Sequence, residues 1–91
     1  MSRPSPQEIV ASIRAFLVEN APDRASAIAT LDLDAEVWEI FGSLDMLELV
    51  EYLEREFSIT VHPLEFVPEN FSSLKRMVDF TERRLTAPKG S

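Results

Sequence analysis

An all-α fold is what this sequence predicts: a small four-helix bundle with three long helices, one short third helix and a long first loop. Three observations carry the expectation. Apolar residues recur at spacings of three and four in three separate stretches, the repeat of a helix with one buried face. No stretch shows the strict alternation of a half-buried strand. The stretches are separated by proline, asparagine and serine, which stop or start helices. Ninety-one residues suffice for one small domain, 1–91, with an ordered core over about 6–85.

The first helix opens with Ser5-Pro6-Gln7-Glu8. Ser5 reads as the N-cap, Pro6 as the first helical residue, and Glu8 as the side chain that reaches back to complete a capping box. Ile9, Ile13, Phe16 and Leu17 make its apolar stripe, and Asn20-Ala21-Pro22-Asp23 ends it. Arg24 to Thr30 has the length of a short helical turn. Leu31, Leu33, Val37, Trp38, Ile40 and Phe41 are apolar without a sustained period, so the connection reads as a loop fastened to the core by its side chains, with Trp38 and Phe41 as anchors.

The second long helix runs from Ser43 to Phe57. Its expected buried stripe is Leu47, Val50, Leu53 and Phe57, and its other face carries Asp45, Glu48, Glu51, Glu54 and Glu56 against a single Arg55. Leu44 and Met46 lie beside Ser43, off that stripe. His62 to Val67 reads as one short helical turn with Pro63 first, closed by Pro68-Glu69-Asn70. The last helix is expected over about 72–85, with Leu74, Met77, Val78, Thr81 and Leu85 inward and Arg83-Arg84 at its negative end. Phe71 and Phe80 are expected in the core or at its edge. Met1 to Pro4 and Ala87 to Ser91 read as loose ends.

Composition narrows the function classes. There is no cysteine, which removes disulfides, thiolate metal sites and cysteine nucleophiles, and one histidine leaves little for zinc. Two glycines cannot build a glycine-rich phosphate cradle. A net charge of −7 disfavours nucleic acid and anionic lipid and points to protein partners with basic patches. Without an apolar span or a signal-peptide core, the expected setting is the cytoplasm, as a monomer. No enzyme is expected. His62 with Ser43 and Asp45 lacks the G-x-S-x-G elbow of a hydrolase, and the helix carboxylates lie on a convex surface with no cleft for glycosidase chemistry.

Ser43 admits two readings. Serine is a favoured N-cap in any protein. It is also a hydroxyl held at a helix start, where free N–H groups and the helix dipole favour an attached phosphate.

The stretch Ser43-Leu44-Asp45-Met46-Leu47-Glu48-Leu49-Val50-Glu51-Tyr52-Leu53-Glu54-Arg55-Glu56-Phe57, reached through a long loop, resembles the serine motif and recognition helix of the acyl carrier protein family. Pro68-Glu69-Asn70-Phe71-Ser72-Ser73-Leu74 is similar to the entry to the last helix in freestanding carriers of bacterial biosynthetic pathways. The resemblance spans roughly residues 6–85. It implies a carrier rather than a catalyst. Ser43 would be esterified by 4′-phosphopantetheine from coenzyme A through a phosphopantetheinyl transferase, giving a phosphoprotein whose thiol holds acyl or aminoacyl groups. Leu44, Asp45, Met46, Glu48, Glu51 and Glu54 would meet partner enzymes of fatty acid, polyketide or related biosynthesis. One position departs from the family: the residue before the serine is usually aspartate, and here it is Gly42. That departure supports an alternative, a carrier-like interaction module that is never modified.

Overall fold

The computed structural model describes residues 4–38 and 40–86. The remainder of the expected loose ends, residues 1–3 and 87–91, lies outside the described residues. The described chain is all-helical. Three long helices, α1 (Pro6–Asn20), α3 (Ser43–Phe57) and α5 (Leu74–Thr86), pack against one another. Two short ones, α2 (Ala25–Ala29) and α4 (Pro68–Phe71), flank them, and single 3-10 turns span Pro22–Arg24 and Pro63–Glu65.

α1 forms as its local chemistry dictates. The Glu8 N–H donates to Ser5 Oγ at 3.2 Å and the Ser5 N–H donates to Glu8 Oε1 at 2.7 Å, so both halves of the capping box are made. Ile9, Ile13 and Leu17 are buried, while Phe16 is half-buried and stacks on Tyr52 of α3 at 4.6 Å between centroids. α5 buries Leu74, Met77, Val78, Phe80 and Thr81, with Leu85 half-buried. The core thus joins α1, α3 and α5 with Ile28, Val37, Phe41, Ile59 and Phe71 from the segments between them.

Three expectations are corrected. The buried stripe of α3 is Met46, Leu49, Val50 and Leu53; Leu47 is 46% exposed and Phe57 only half-buried. Positions 46, 49, 50 and 53 follow a 3.5-residue repeat, closer to the helical period than the stripe through Leu47. The segment after α3 is not one short helix closed by Pro68. A 3-10 turn ends at Glu65, and Pro68 instead starts α4, at the first position that tolerates proline. α5 begins at Leu74, two residues later than the expected start, with Ser73 Oγ accepting from the Arg76 N–H at 3.2 Å.

The connection from α2 to α3 is pinned along its length. Arg14 of α1 donates to the carbonyls of Ile28 at 2.6 Å and Leu31 at 2.8 Å. The Lys75 N–H reaches Leu33 O at 3.0 Å and the Val37 N–H reaches Ser72 O at 2.8 Å. Trp38 Nε1 donates to Phe71 O at 2.8 Å. Trp38, Phe66, Phe71 and Phe80 then form a row of rings with successive centroids 5.2, 5.9 and 5.1 Å apart.

Among the described residues one buried side-chain group is unpaired. Thr81 is fully buried and its hydroxyl has no partner among the described residues. A buried unsatisfied hydroxyl costs about 1–3 kcal/mol, so Thr81→Val, which keeps the shape, should raise stability by roughly 1 kcal/mol in urea unfolding. Leu53→Ala, at the centre of the buried α3 stripe, should lower it by about 2–5 kcal/mol.

Candidate functional site at the start of α3

The chain enters α3 through Phe41, which is buried, and Gly42, which is exposed. Gly42 is the N-cap residue. Its backbone is extended (φ −75°, ψ 176°), and its carbonyl accepts the Met46 N–H at 3.1 Å. Ser43 is therefore the first helical residue and not the cap, and among the described residues no side chain caps the start of this helix. The Ser43 residue is exposed, and its hydroxyl has no hydrogen-bond partner among the described residues. The N–H groups of the first turn are left without a side-chain acceptor, and they carry the positive end of the helix dipole. The space beside Gly42 is open: a Cβ placed there would meet no atom within 4 Å beyond its chain neighbours.

The neighbouring residues divide by burial. Leu44 is 72% exposed, next to the serine. Met46 is fully buried in the core, so its side chain is not offered to a partner. Asp45, Glu48 and Glu51 are exposed, and no ion pair engages them among the described residues. Their three-residue spacing sets them along one side of α3, with Leu44 and Leu47 as apolar neighbours. Glu54 is half-buried, and its Oε2 accepts the Val61 N–H at 2.9 Å. It holds the chain that leaves α3 and is the only one of these acids with such a backbone partner among the described residues. Beyond that chain, Leu64 is 85% exposed in the second 3-10 turn.

The other sequence candidates fall elsewhere. His62 starts the turn Pro63–Glu65, and its N–H donates to Glu65 Oε1 at 2.8 Å. Glu65 also pairs with Arg84 of α5. Trp38 and Phe41 are loop anchors as expected. Among the described residues no group of His, Asp and Glu is arranged to hold a metal ion, and no helix is long and apolar enough to cross a membrane. Surface cavities lie away from α3 among the described residues. A charged one of about 350 Å³ is lined by Asp34, Lys75, Arg76 and Asp79, and an apolar one of about 420 Å³ by Pro6, Val10, Ala11 and Leu33.

Sequence reasoning passed over Arg14 and Arg24, whose guanidinium groups hold backbone carbonyls of the connection. The one available signal was two arginines bordering apolar segments with no acidic residue placed to pair with them along a helix. No protein-family model matches the chain, and neither curated proteins nor solved structures give a match.

The cap assignment has a measurable consequence. A capping serine changed to alanine costs about 0.5–2 kcal/mol, whereas an exposed, unbonded one costs no more than about 0.5 kcal/mol. Ser43→Ala should fall in the second class by urea unfolding. A loss above about 1 kcal/mol would return the capping role to Ser43.

Proposed function

We propose that this protein is a carrier of the acyl carrier kind, with Ser43 as the attachment site of 4′-phosphopantetheine. The observation that carries this reading is the exposed, unbonded Ser43 hydroxyl at the first position of α3, beside an uncapped helix start and a row of unpaired acids. Bound there, the group supplies a thiol that holds acyl or aminoacyl units as thioesters. Ser43 contributes only its oxygen: the hydroxyl proton leaves to a base on the transferase as the oxygen–phosphorus bond forms and the pyrophosphate bond of coenzyme A breaks, with adenosine 3′,5′-bisphosphate as the leaving group. The first-turn N–H groups favour the phosphodiester charge that results.

On this reading the three long helices and the short segment between Pro63 and Phe71 act as the four-helix bundle of a carrier, a rigid base for a flexible arm. Asp45, Glu48 and Glu51 attract basic partner surfaces over a distance, and Leu44 and Leu47 add a small apolar contact once docked. Charge steering speeds encounter without demanding tight binding, which suits a protein that must leave each partner. Its partners are a phosphopantetheinyl transferase and cytoplasmic enzymes that load or use the cargo in fatty acid, polyketide or related biosynthesis.

Gly42 favours a second reading, an unmodified module that binds an enzyme through the same acidic face. An aspartate at this position would offer the transferase a carboxylate, and glycine offers none. The backbone at Gly42 suits aspartate, and the space beside it is open.

Incubation of the purified protein with coenzyme A and a broad-specificity phosphopantetheinyl transferase should add one phosphopantetheine to the intact mass. Ser43→Ala should abolish the gain. Gly42→Asp should speed it and, by capping α3, raise stability by roughly a few tenths of a kcal/mol. No mass gain in either the parent protein or Gly42→Asp would leave the unmodified module as the function.

A further inference from the structure

The attachment point has little of its own to hold it. Gly42 touches nothing where a side chain would be, and α3 begins without a side-chain cap. The last fixed point before it is Phe41, and the first after it is Met46, both buried in the core. Between these two anchors Gly42, Ser43, Leu44 and Asp45 are all exposed. A helix end in that state frays unless the incoming chain is restrained, because the first turn closes few hydrogen bonds for the residues it orders.

A restraint from outside the connection comes from Arg24, an exposed residue of the first 3-10 turn that is distant in sequence. Its guanidinium donates to the carbonyl of Ile40 and lies over the Phe41 ring, 5.9 Å from its centroid. One side chain therefore grips both the backbone and the ring at the residues that deliver Gly42. The guanidinium is suited to both contacts at once, since its planar fork bonds a carbonyl while its face meets an aromatic ring. Other fasteners of the connection act earlier, at Leu31, Leu33, Val37 and Trp38. Next to the site the Ile40 and Phe41 N–H groups donate to Val37 O at 3.0 and 2.9 Å, and Arg24 is the side chain from outside the connection that acts there.

We infer that Arg24 is a positioning residue for Ser43: by clamping Ile40 and Phe41 it keeps the first turn of α3 wound and the hydroxyl presented. The consequence for modification rests on the carrier reading of Ser43; the consequence for the helix start does not. Arg24 is exposed and outside the core, so its loss should act on the helix start more than on the whole fold. Glu48 and Glu51 lie beyond the first turn, so docking through them is spared.

Amide hydrogen exchange and transferase kinetics on Arg24→Ala and Arg24→Lys test this. In Arg24→Ala the Met46 amide, which bonds to Gly42 O, should exchange several-fold faster while the Leu53 amide in the centre of α3 changes little. The transferase kcat should fall several-fold with KM nearly unchanged. Arg24→Lys keeps the charge and one donor direction and should recover part of both effects. Equal exchange at Met46 in Arg24→Ala and the parent protein would overturn the clamp. So would equal acceleration at Met46 and Leu53, which would make Arg24 a general stabiliser. Faster exchange with an unchanged kcat would overturn its role in presenting Ser43. A protein that no transferase modifies, yet frays at Met46 without Arg24, would end the carrier reading and leave the clamp standing.

Discussion

The structure depends on the pinning of the connection between α2 and α3. Without it, α3 would have no defined entry, and Val37 and Phe41 would lose their places in the core. That stretch has no regular structure to satisfy its backbone, yet it crosses the packed faces of α4 and α5. Its polar groups are satisfied by particular partners: Leu33 O by the Lys75 N–H, the Val37 N–H by Ser72 O, and the Trp38 indole N–H by Phe71 O. Apolar side chains alone would hold the segment near the core but leave its path undecided, since burial is non-directional. The hydrogen bonds choose the path, and the row of rings from Trp38 to Phe80 fills the space beneath it.

α3 answers to two demands that its sequence separates by face. Met46, Leu49, Val50 and Leu53 bind it into the core, while Asp45, Glu48 and Glu51 stand in solvent without counter-ions among the described residues. Glutamate–lysine pairs would have stabilised this surface, and the helix forgoes them. Its stability rests on the buried face instead. Glu54 marks the boundary between the two roles, because its carboxylate is turned to the Val61 N–H and fastens the exit from the helix. Ser58 completes that exit in the left-handed conformation (φ 54°), the usual way for a helix to stop, though more often with glycine.

The elements visible in the sequence are those written by local rules. α1 is legible because its capping box and stripe involve residues within a turn of one another. The span of α3 is legible for the same reason, but its inward face is not. Leu44, Met46, Leu47, Leu49 and Val50 crowd the first half with apolar residues, and only the entry geometry decides which of them turn inward. The connection is illegible because the hydrogen bonds that tie it to other elements join residues fourteen or more positions apart and leave no period. Ser43 is legible as a helix start from its register. That Gly42 takes the cap position is a difference of one residue, which propensity does not resolve and the backbone at Gly42 does.

The cap position is where the start of α3 gives up local stability. Serine, threonine, aspartate or asparagine at residue 42 would satisfy a first-turn N–H and firm the start of α3. Glycine satisfies none, so the N–H groups stay open and the order of the helix start falls to contacts outside it. That arrangement gains little for a helix whose only task is to pack. Aspartate at residue 42 would both cap the turn and stand as a carboxylate beside Ser43, and glycine supplies neither. The fold compensates from a distance, burying Phe41 just before the turn and Met46 just within it. The exposed stretch between them is short enough to be held by its ends.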